Sequence, residues 1–221
     1  MEDQIYGRLR RSIELLDVEN DNRILNIGCK SGWLEKEVSN KCKEIIGIDI
    51  DSEIISKNKK EIKSAKFFIA DITKRLSFGS GFFDKICFLE VIEHLPKDME
   101  NMALKEINRL LKINGILILS TPNNNFFCKF ADPAYWVIGH RHYDFDFIKE
   151  ILVNNGFEIE HFEYGGRWIE TLTIPFFSFF WYFKLNIPFK HFFSKLTDRE
   201  YKKENGWYTI LIKAKKVKNV E

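Results

Sequence analysis

Residues 24–33 read ILNIGCKSGW, an apolar run that leads into a turn containing Gly28 and Gly32. This pattern predicts a β-strand, a tight turn and the start of a helix. Gly28 can adopt a positive φ and lets a ligand approach the backbone, and the first N–H groups of the helix can bind an anionic group. The stretch predicts a cofactor-binding turn, and a tight structural connection would show the same pattern.

Apolar runs of strand length alternate with helical patterns along the rest of the chain. The predicted strands cover residues 23–27, 45–50, 66–69, 83–89 and 116–120, and the predicted helices cover residues 32–39, 52–63 and 98–112. This alternation predicts βαβ units with right-handed crossovers. We therefore expect a doubly wound, Rossmann-like α/β fold with a mostly parallel sheet and helices on both faces.

Further elements are expected at both ends of this core. Residues 1–20 have apolar side chains at helical spacing, which predicts an amphipathic helix. Asp144 is expected to cap a helix over residues 147–155, and Gly156 to end it. The last two strands are predicted over residues 157–162 and 206–215.

Residues 171–205 interrupt the rhythm of strands and helices. They carry Pro175, Pro188 and many aromatic side chains, so we interpret them as an insertion within a single domain of residues 1–221. The apolar run is too short to span a bilayer, but its aromatic and lysine residues suit a membrane headgroup region. The insertion is either a peripheral membrane contact, a lid over the pocket or a dimer interface, in a monomer or a homodimer.

Composition narrows the classes of function. The chain has 34 basic and 32 acidic residues, a net charge of +2, so no general field attracts nucleic acid. Its four cysteines contain no CxxC pair, which argues against a zinc site or a disulfide framework. The acidic start, with Glu2 and Asp3, is unlike a secretory signal. We expect a cytoplasmic protein.

Two acidic residues follow predicted strands downstream of the glycine turn. Asp49, with Ile50 after it, ends the second strand about twenty residues on, where a carboxylate can accept both hydroxyls of a ribose. Asp71 ends the third strand and can accept from an adenine amino group, with Ile72 packing on the ring. The alternative for Asp71 is a local helix cap.

Two longer motifs complete a recognisable series, FDKICFLEVIEHL over residues 83–95 and LKINGILILSTPN over residues 111–123. From residue 23 to about residue 162 the chain resembles the class I S-adenosylmethionine methyltransferases. The resemblance implies a seven-stranded sheet whose last strand is antiparallel. It also implies that Gly28, Cys29 and Gly32 line the methionine part of the cofactor, Asp49 the ribose, and Asp71 and Ile72 the adenine.

Two residues of the cofactor motif depart from the family pattern. Asn26 stands where the family usually has an acidic residue, and Lys30 where it usually has a glycine. Asn26 keeps a hydrogen-bonding side chain but loses the charge that would attract the cofactor's ammonium group. A dinucleotide cofactor has less support, because only the turn and Asp49 favour it.

The EVIEHL segment is expected where the fourth strand reaches its loop. His94 can act as a general base, or join Glu90 and Glu93 in holding a divalent metal ion, as in the ubiquinone-pathway and small-RNA 2′-O-methyltransferases that the segment resembles. In the alternative, Glu90 lines the cofactor pocket, Glu93 bridges locally and His94 orients the loop. We favour this second interpretation over metal binding.

A second histidine cluster, GHRHYD, covers residues 139–144 and resembles a family segment in which His142 and Tyr143 face the acceptor. His142 can accept a proton or, equally, hold the loop through a backbone hydrogen bond. We predict an enzyme that O-methylates a small or lipid-linked hydroxyl compound. The alternatives are an RNA 2′-O-methyltransferase with a metal site and a non-catalytic binding module.

Overall fold

The computed structural model describes residues 7–182, 190–203 and 205–220. Its strands are β1 (Arg23–Ile27), β2 (Glu44–Asp49), β3 (Lys66–Ile69), β4 (Phe83–Leu89), β5 (Leu111–Pro122), β6 (Phe157–Gly165) and β7 (Thr209–Lys216). They form one sheet in the order β3-β2-β1-β4-β5-β7-β6. The first five are parallel, and β7 is antiparallel to both β5 and β6. The predicted fold class is confirmed.

Helices flank both faces of the sheet. They are α1 (Gly7–Leu16), α2 (Trp33–Val38), α3 (Ser52–Glu61), α4 (Glu100–Leu110), α5 (Phe126–Ala131), α6 (Pro133–Ile138), α7 (Phe145–Asn154), α8 (Trp168–Tyr182) and α9 (Lys190–Tyr201). None of the helices within the described ranges is long and apolar enough to span a membrane. The segment interpreted as an insertion, residues 171–205, contains α9 and all of α8 except its first turn, and residues 183–189 between the two helices lie outside the described residues.

The alternation of side chains along β1 explains why helices are needed on both faces. Ile24 is buried with Leu16 of α1 and Leu34 of α2 on one face. Leu25 and Ile27 are buried in a larger cluster on the other face, which includes side chains of α4 and α7. Successive residues of a strand point to opposite faces, so a strand that is apolar throughout requires cover on both.

The region around Asp144 differs in one respect from the sequence-based expectation. Asp144 does precede α7, but no backbone N–H of that helix donates to its side chain. Its carboxylate instead accepts a hydrogen bond of 2.8 Å from Asn124 Nδ2, so the predicted capping bond is wrong. The end of the helix is as predicted, because Gly156 follows it with a φ of +81°.

The strand order places the carboxyl ends of β1, β2, β4 and β5 at one edge of the sheet. The order reverses between β1 and β4, since β2 lies on one side of β1 and β5 on the far side of β4. Ligands of open α/β sheets bind at such a reversal, outside the carboxyl ends of the strands. The residues that follow these four strands are therefore brought to one place.

Candidate active site

The turn after β1 has the backbone geometry of a close-approach site. Gly28 has a φ of +73°, and a Cβ added to it would lie 2.4 Å from Val91 Cγ2. The backbone N–H groups of Gly28 and Cys29 both donate to Ile48 O, at 2.8 and 3.0 Å, which ties the turn to β2. Only glycine fits position 28 without displacing its neighbour.

Lys30 and Cys29 take up defined positions within this turn. Lys30 adopts a φ of +41°, in the left-handed region that favours glycine. The Cys29 side chain is buried with Ile55 and Ile62, away from solvent. Gly32 precedes α2 with a φ of +69°. The lysine therefore takes up the left-handed conformation that a glycine would adopt more readily.

Asp49 at the end of β2 lies directly beside the turn. Its Oδ2 atom accepts a hydrogen bond of 3.0 Å from the backbone N–H of Lys30, and its Oδ1 atom accepts one of 3.1 Å from Asp51 N. The next residue, Ile50, is 76% exposed. The structure thus brings together the two motifs that the sequence places about twenty residues apart.

Asp71 and Ile72 follow β3 but differ in accessibility. Asp71 Oδ1 accepts hydrogen bonds from the backbone N–H and the hydroxyl of Thr73, which hold the pKa of Asp71 below its usual value. Ile72 is buried in the main core, whereas Ile69 is exposed. These bonds close a turn and do not cap a helix, since the next element after β3 is β4, and they leave Asp71 Oδ2 facing Lys74 at 3.3 Å.

Asn26 and Glu35 are joined behind the glycine turn. Asn26 Nδ2 donates to Glu35 Oε1 at 3.0 Å, and both side chains are buried. Burial raises the pKa of Glu35 to about 7, and the hydrogen bond from Asn26 opposes this rise. Sequence reasoning did not single out Glu35, because an acidic residue in a helix is usually exposed.

Glu90 at the end of β4 is held by an arginine from the first helix. Arg8 Nη1 lies 2.8 Å from Glu90 Oε2, and the hydroxyl of Ser120 donates to Glu90 Oε1 at 2.8 Å. Arg8 also lies 3.7 Å from Glu170 of α8 and donates to the hydroxyl of Thr209. The charge of Glu90 is therefore already compensated within the protein.

Glu93, His94 and His140 form a compact group of ligand atoms. One atom from each lies within 4.8 Å of those of the other two, and the rings of His94 and His140 are 4.5 Å apart. Burial raises the pKa of Glu93 well above its usual value, and the charge of Glu90 adds to this. Partial burial, with smaller effects of His140 and Lys30, lowers the pKa of His94 to about 4.

Asp132 orients two of the histidines. Its Oδ2 atom lies 2.5 Å from His140 Nδ1 and 3.0 Å from His142 Nε2, while His142 Nδ1 lies 3.1 Å from the carbonyl oxygen of Asn123. The side chain of His142 is fully buried, so both of its nitrogens are engaged inside the protein. These contacts match the loop-holding alternative for His142. Tyr143 is also buried and donates to Glu100 at 2.8 Å.

An exposed group of apolar side chains, which we call the aromatic face, lies on α5 and α8. Its aromatic rings contact one another in pairs, and the ring centroids of each pair are between 5.2 and 6.2 Å apart. Its members are between 49% and 74% exposed: Phe126, Phe127, Phe130, Trp168 and Leu172. The acidic residues next to it in sequence, Asp132 and Glu170, are buried. An exposed apolar area of this kind indicates a contact surface.

Comparison with known proteins identifies the family. The sequence model of the methyltransferase-domain family matches residues 1–162, most of the chain. The chain belongs to this family. It is an S-adenosylmethionine-dependent methyltransferase, as the resemblance of its motifs implies.

Two curated relatives match about half of the length of this methyltransferase. It is 28% identical over 123 residues to the malonyl-[acyl-carrier protein] O-methyltransferase of Legionella pneumophila, covering 53% of this chain and 42% of the relative. It is 29% identical over 110 residues to a ubiquinone biosynthesis O-methyltransferase of Pelagibacter ubique, covering 46% and 42%. The chain thus spans less than half of either protein.

A solved structure of an Archaeoglobus fulgidus S-adenosylmethionine-dependent methyltransferase shares the fold. The two superpose with a TM-score of 0.67 over 95% of this chain and 91% of the other, at 18% identity. The likeness extends well beyond residue 162, so β6 and β7 belong to the same architecture.

Sequence reasoning missed Arg8, Glu35, Asp132 and the grouping of His140 with Glu93. A signal existed for His140 alone, because it lies in the GHRHYD segment beside His142. Arg8 is far in sequence from Glu90 and Thr209. Glu35 and Asp132 lie within ten residues of their partners but on separate elements, and no periodicity or motif connects them.

Proposed function

We propose that this methyltransferase transfers a methyl group to the hydroxyl oxygen of a small or lipid-linked acceptor. The observation that carries the proposal is the state and position of His94. The residue is exposed beside the glycine turn that contains Lys30, and its pKa, lowered to about 4, leaves the imidazole neutral at pH 7. Such a weak base takes the proton as the oxygen is methylated and becomes strongly acidic, not before. A neutral imidazole can accept the proton of an acceptor hydroxyl.

The residues of the turn support S-adenosylmethionine as the bound group. The positive-φ turn at Gly28, packed against Val91, presents its backbone to the methionine part. Asp49 accepts hydrogen bonds from the ribose hydroxyls, and Ile50 offers an exposed apolar surface to the adenine. When bound, the cofactor supplies an electrophilic methyl group on a sulfonium sulfur. The task of the protein is then alignment of the acceptor and removal of one proton, which His94 takes on a ring nitrogen.

The aromatic face supports an acceptor with an apolar portion. It lies next to the histidine cluster along the chain, because Asp132, which binds His140 and His142, directly follows α5. Aromatic side chains with a neighbouring cation, here Lys129, are typical of surfaces that lie in a membrane interface. The name of the Pelagibacter relative points to a lipid-soluble product, and we propose peripheral membrane contact through this face.

An assay of methyl transfer tests the function. The protein is incubated with S-adenosylmethionine and phenols, prenylated phenols in vesicles, or RNA, and the methylated product is analysed. We expect an O-methyl product from the phenols, and a loss of about 100-fold in kcat for His94→Gln with S-adenosylhomocysteine affinity unchanged. His161→Gln, at a partly exposed histidine paired with Glu163, is the matched control.

Other outcomes would reject the proposal in different ways. Transfer to RNA alone would favour the 2′-O-methyltransferase alternative. Cofactor binding without any transfer would favour the binding module. Full activity of His94→Gln would remove His94 from proton transfer.

A second candidate property is a divalent metal site formed by Glu93, His94 and His140. We propose it because Glu93 Oε1 and His140 Nε2 are both buried and neither has a hydrogen-bond partner within residues 7–182, 190–203 and 205–220. The Asp132 carboxylate accepts from His140 Nδ1, which leaves Nε2 as a free electron-pair donor, and such carboxylate–histidine pairs are usual behind metal ligands. Glu90 is paired with Arg8 and does not join this group. Loss of transfer after chelation, restored by Mn²⁺ or Zn²⁺, would link the site to activity.

A further inference from the structure

Glu35 is an ionisable side chain that lies entirely inside the protein, on α2 behind the glycine turn. It is 0% exposed, and its Oε2 atom is buried and has no hydrogen-bond partner in the part of the chain that the structure describes. Among the described residues, no lysine, arginine or histidine forms an ion pair with it. A buried carboxyl group without a cation is costly, which points to a role beyond stability.

The backbone of β2 makes room for this carboxyl group. A Cβ added to Gly47 would lie 2.4 Å from Glu35 Oε1 and 2.8 Å from the ring of Phe67. Any side chain at position 47 would therefore displace the carboxyl group. The site of Glu35 is shaped by two neighbouring strands, β1 through Asn26 and β2 through Gly47.

The hydrogen bond to Glu35 fixes the orientation of the Asn26 amide. An ionised carboxylate only accepts hydrogen bonds, so the NH2 group of Asn26 must face it. The other amide atom, Oδ1, is then directed elsewhere, and within the described ranges nothing donates to it. Asn26 lies on β1 only two residues before Gly28, so its amide oxygen lies next to the glycine turn.

We propose that Glu35 supplies the negative charge that position 26 lacks, and that it holds Asn26 with Oδ1 toward the ammonium group of the cofactor's methionine part. Glu35 is thus a positioning residue that acts through Asn26, and its buried charge is compensated when that cation binds. The inference rests on the placement of the cofactor at the glycine turn proposed above. In this arrangement the negative charge lies on α2, at Glu35, and not on β1.

The electrostatics of the cofactor-free protein agree with this arrangement. Burial raises the pKa of Glu35 to about 7, so the carboxyl group is partly protonated near neutral pH. Its charge also acts on the thiols of Cys29 and Cys87, which have raised pKa values mainly because they are buried. A bound ammonium group would favour the ionised form.

Two ligands that share a nucleoside separate this role from a structural one. S-adenosylhomocysteine carries the ammonium group, whereas 5′-methylthioadenosine lacks the whole amino-acid part. Calorimetric titration of the full chain is done with both ligands for the wild type and for Glu35→Gln. We expect Glu35→Gln to weaken S-adenosylhomocysteine binding by about tenfold or more and to leave 5′-methylthioadenosine binding within about twofold.

A charge-exchange variant keeps the test decisive even if the single variant folds poorly. In Asn26→Asp with Glu35→Gln, the carboxylate returns to position 26 and the new amide donates to it. We expect this double variant to bind S-adenosylhomocysteine within about threefold of the wild type. Equal weakening of both ligands in Glu35→Gln, or unchanged affinity for both, would overturn the proposal. A wild type that binds neither ligand would instead overturn the proposed cofactor site.

Discussion

Glu93 Oε1 and His140 Nε2 face each other across 3.9 Å inside the protein, and among the described residues neither atom has a hydrogen-bond partner. Both atoms are electron-pair donors when Asp132 accepts from the other nitrogen of His140. Two buried donors at this separation repel one another unless a proton or a cation lies between them. Their partner His94 supplies a third ligand atom.

Divalent cations should therefore stabilise the protein in thermal unfolding. After chelation, adding Mn²⁺ or Zn²⁺ at about 100 times its Kd should stabilise the wild type by about 2.7 kcal/mol, because the ion binds only the folded state. Glu93→Gln and His140→Asn should lose this response, while His161→Asn keeps it. An equal rise in Tm in all four proteins would place the ion elsewhere.

Asp49→Ala should weaken binding of S-adenosylhomocysteine by about 1–3 kcal/mol, because a charged acceptor of hydrogen bonds is lost. Titration calorimetry measures the change. Asp51→Ala is a close control, since Asp51 accepts from the N–H groups of Glu53 and Ile54 and caps α3. It should lower stability by about 1 kcal/mol and leave cofactor affinity unchanged. If Asp49→Ala binds S-adenosylhomocysteine as tightly as Asp51→Ala and the wild type do, Asp49 does not belong to the site.

Glu35 should make the cofactor-free protein less stable as the pH rises. Its pKa is about 7 in the folded state against 4.5 as the ordinary value, so between these values the folded state binds more protons than the unfolded state. The free energy of unfolding then falls with increasing pH across this window and levels off above it. Glu35→Gln lacks this dependence.

The stability gap between Glu35→Gln and the wild type is the measurable quantity. Urea unfolding is measured at pH 5, 6, 7 and 8. From the lowest to the highest pH, the free energy of unfolding of Glu35→Gln should rise by roughly 1–3 kcal/mol relative to that of the wild type. All other titrating groups are common to both proteins, so their contributions cancel in the difference between the two free energies of unfolding. A gap independent of pH would mean that Glu35 titrates at its ordinary pKa.

Arg8→Met should lower the free energy of unfolding by about 3 kcal/mol, because Glu90 and Glu170 lose their shared cation. Burial raises the pKa of Glu170 to about 7 even with Arg8 present. The double variant with Glu170→Gln removes one of the two carboxylates and should recover part of the loss. A loss below about 0.5 kcal/mol for Arg8→Met would show that these pairs are well solvated.

The aromatic face should carry any binding to vesicles. Replacing Phe126 and Phe130 with serine should reduce sedimentation with anionic vesicles by about tenfold, because two large apolar side chains no longer enter the interface. Ile113→Ser is the matched control, since Ile113 is 48% exposed outside this face. Equal binding of all three proteins would place membrane contact elsewhere or exclude it.

The fold could be predicted from the sequence because its signal is local. The strands over 23–27, 66–69 and 83–89 were predicted with the bounds that the structure gives, since each is an apolar run bounded by polar or turn residues. Helices α5 and α6 were not predicted. Each has six residues, fewer than two turns, which is too short for a helical period to be recognised. Helix α2 is equally short and was predicted because it follows the glycine turn.

The sequence predicts residues of the site only where they come directly after a predicted strand. Asp49 and the glycine turn were found because parallel strands end at a common edge of the sheet. Asp132 and Glu35 act through contacts between separate elements, and such contacts leave no pattern in a single sequence. The buried position of His142 likewise depends on Asn123, 19 residues earlier in the chain.

The last strand along the chain, β7, lies between β5 and β6, which precede it. During synthesis, β6 would have no partner in the sheet until residues 209–216 emerge, and the edge of β5 would stay open for the same time. Open edges of this kind invite pairing with other chains. A protein truncated before β7 should therefore aggregate, although residues 1–162 already contain the whole cofactor motif.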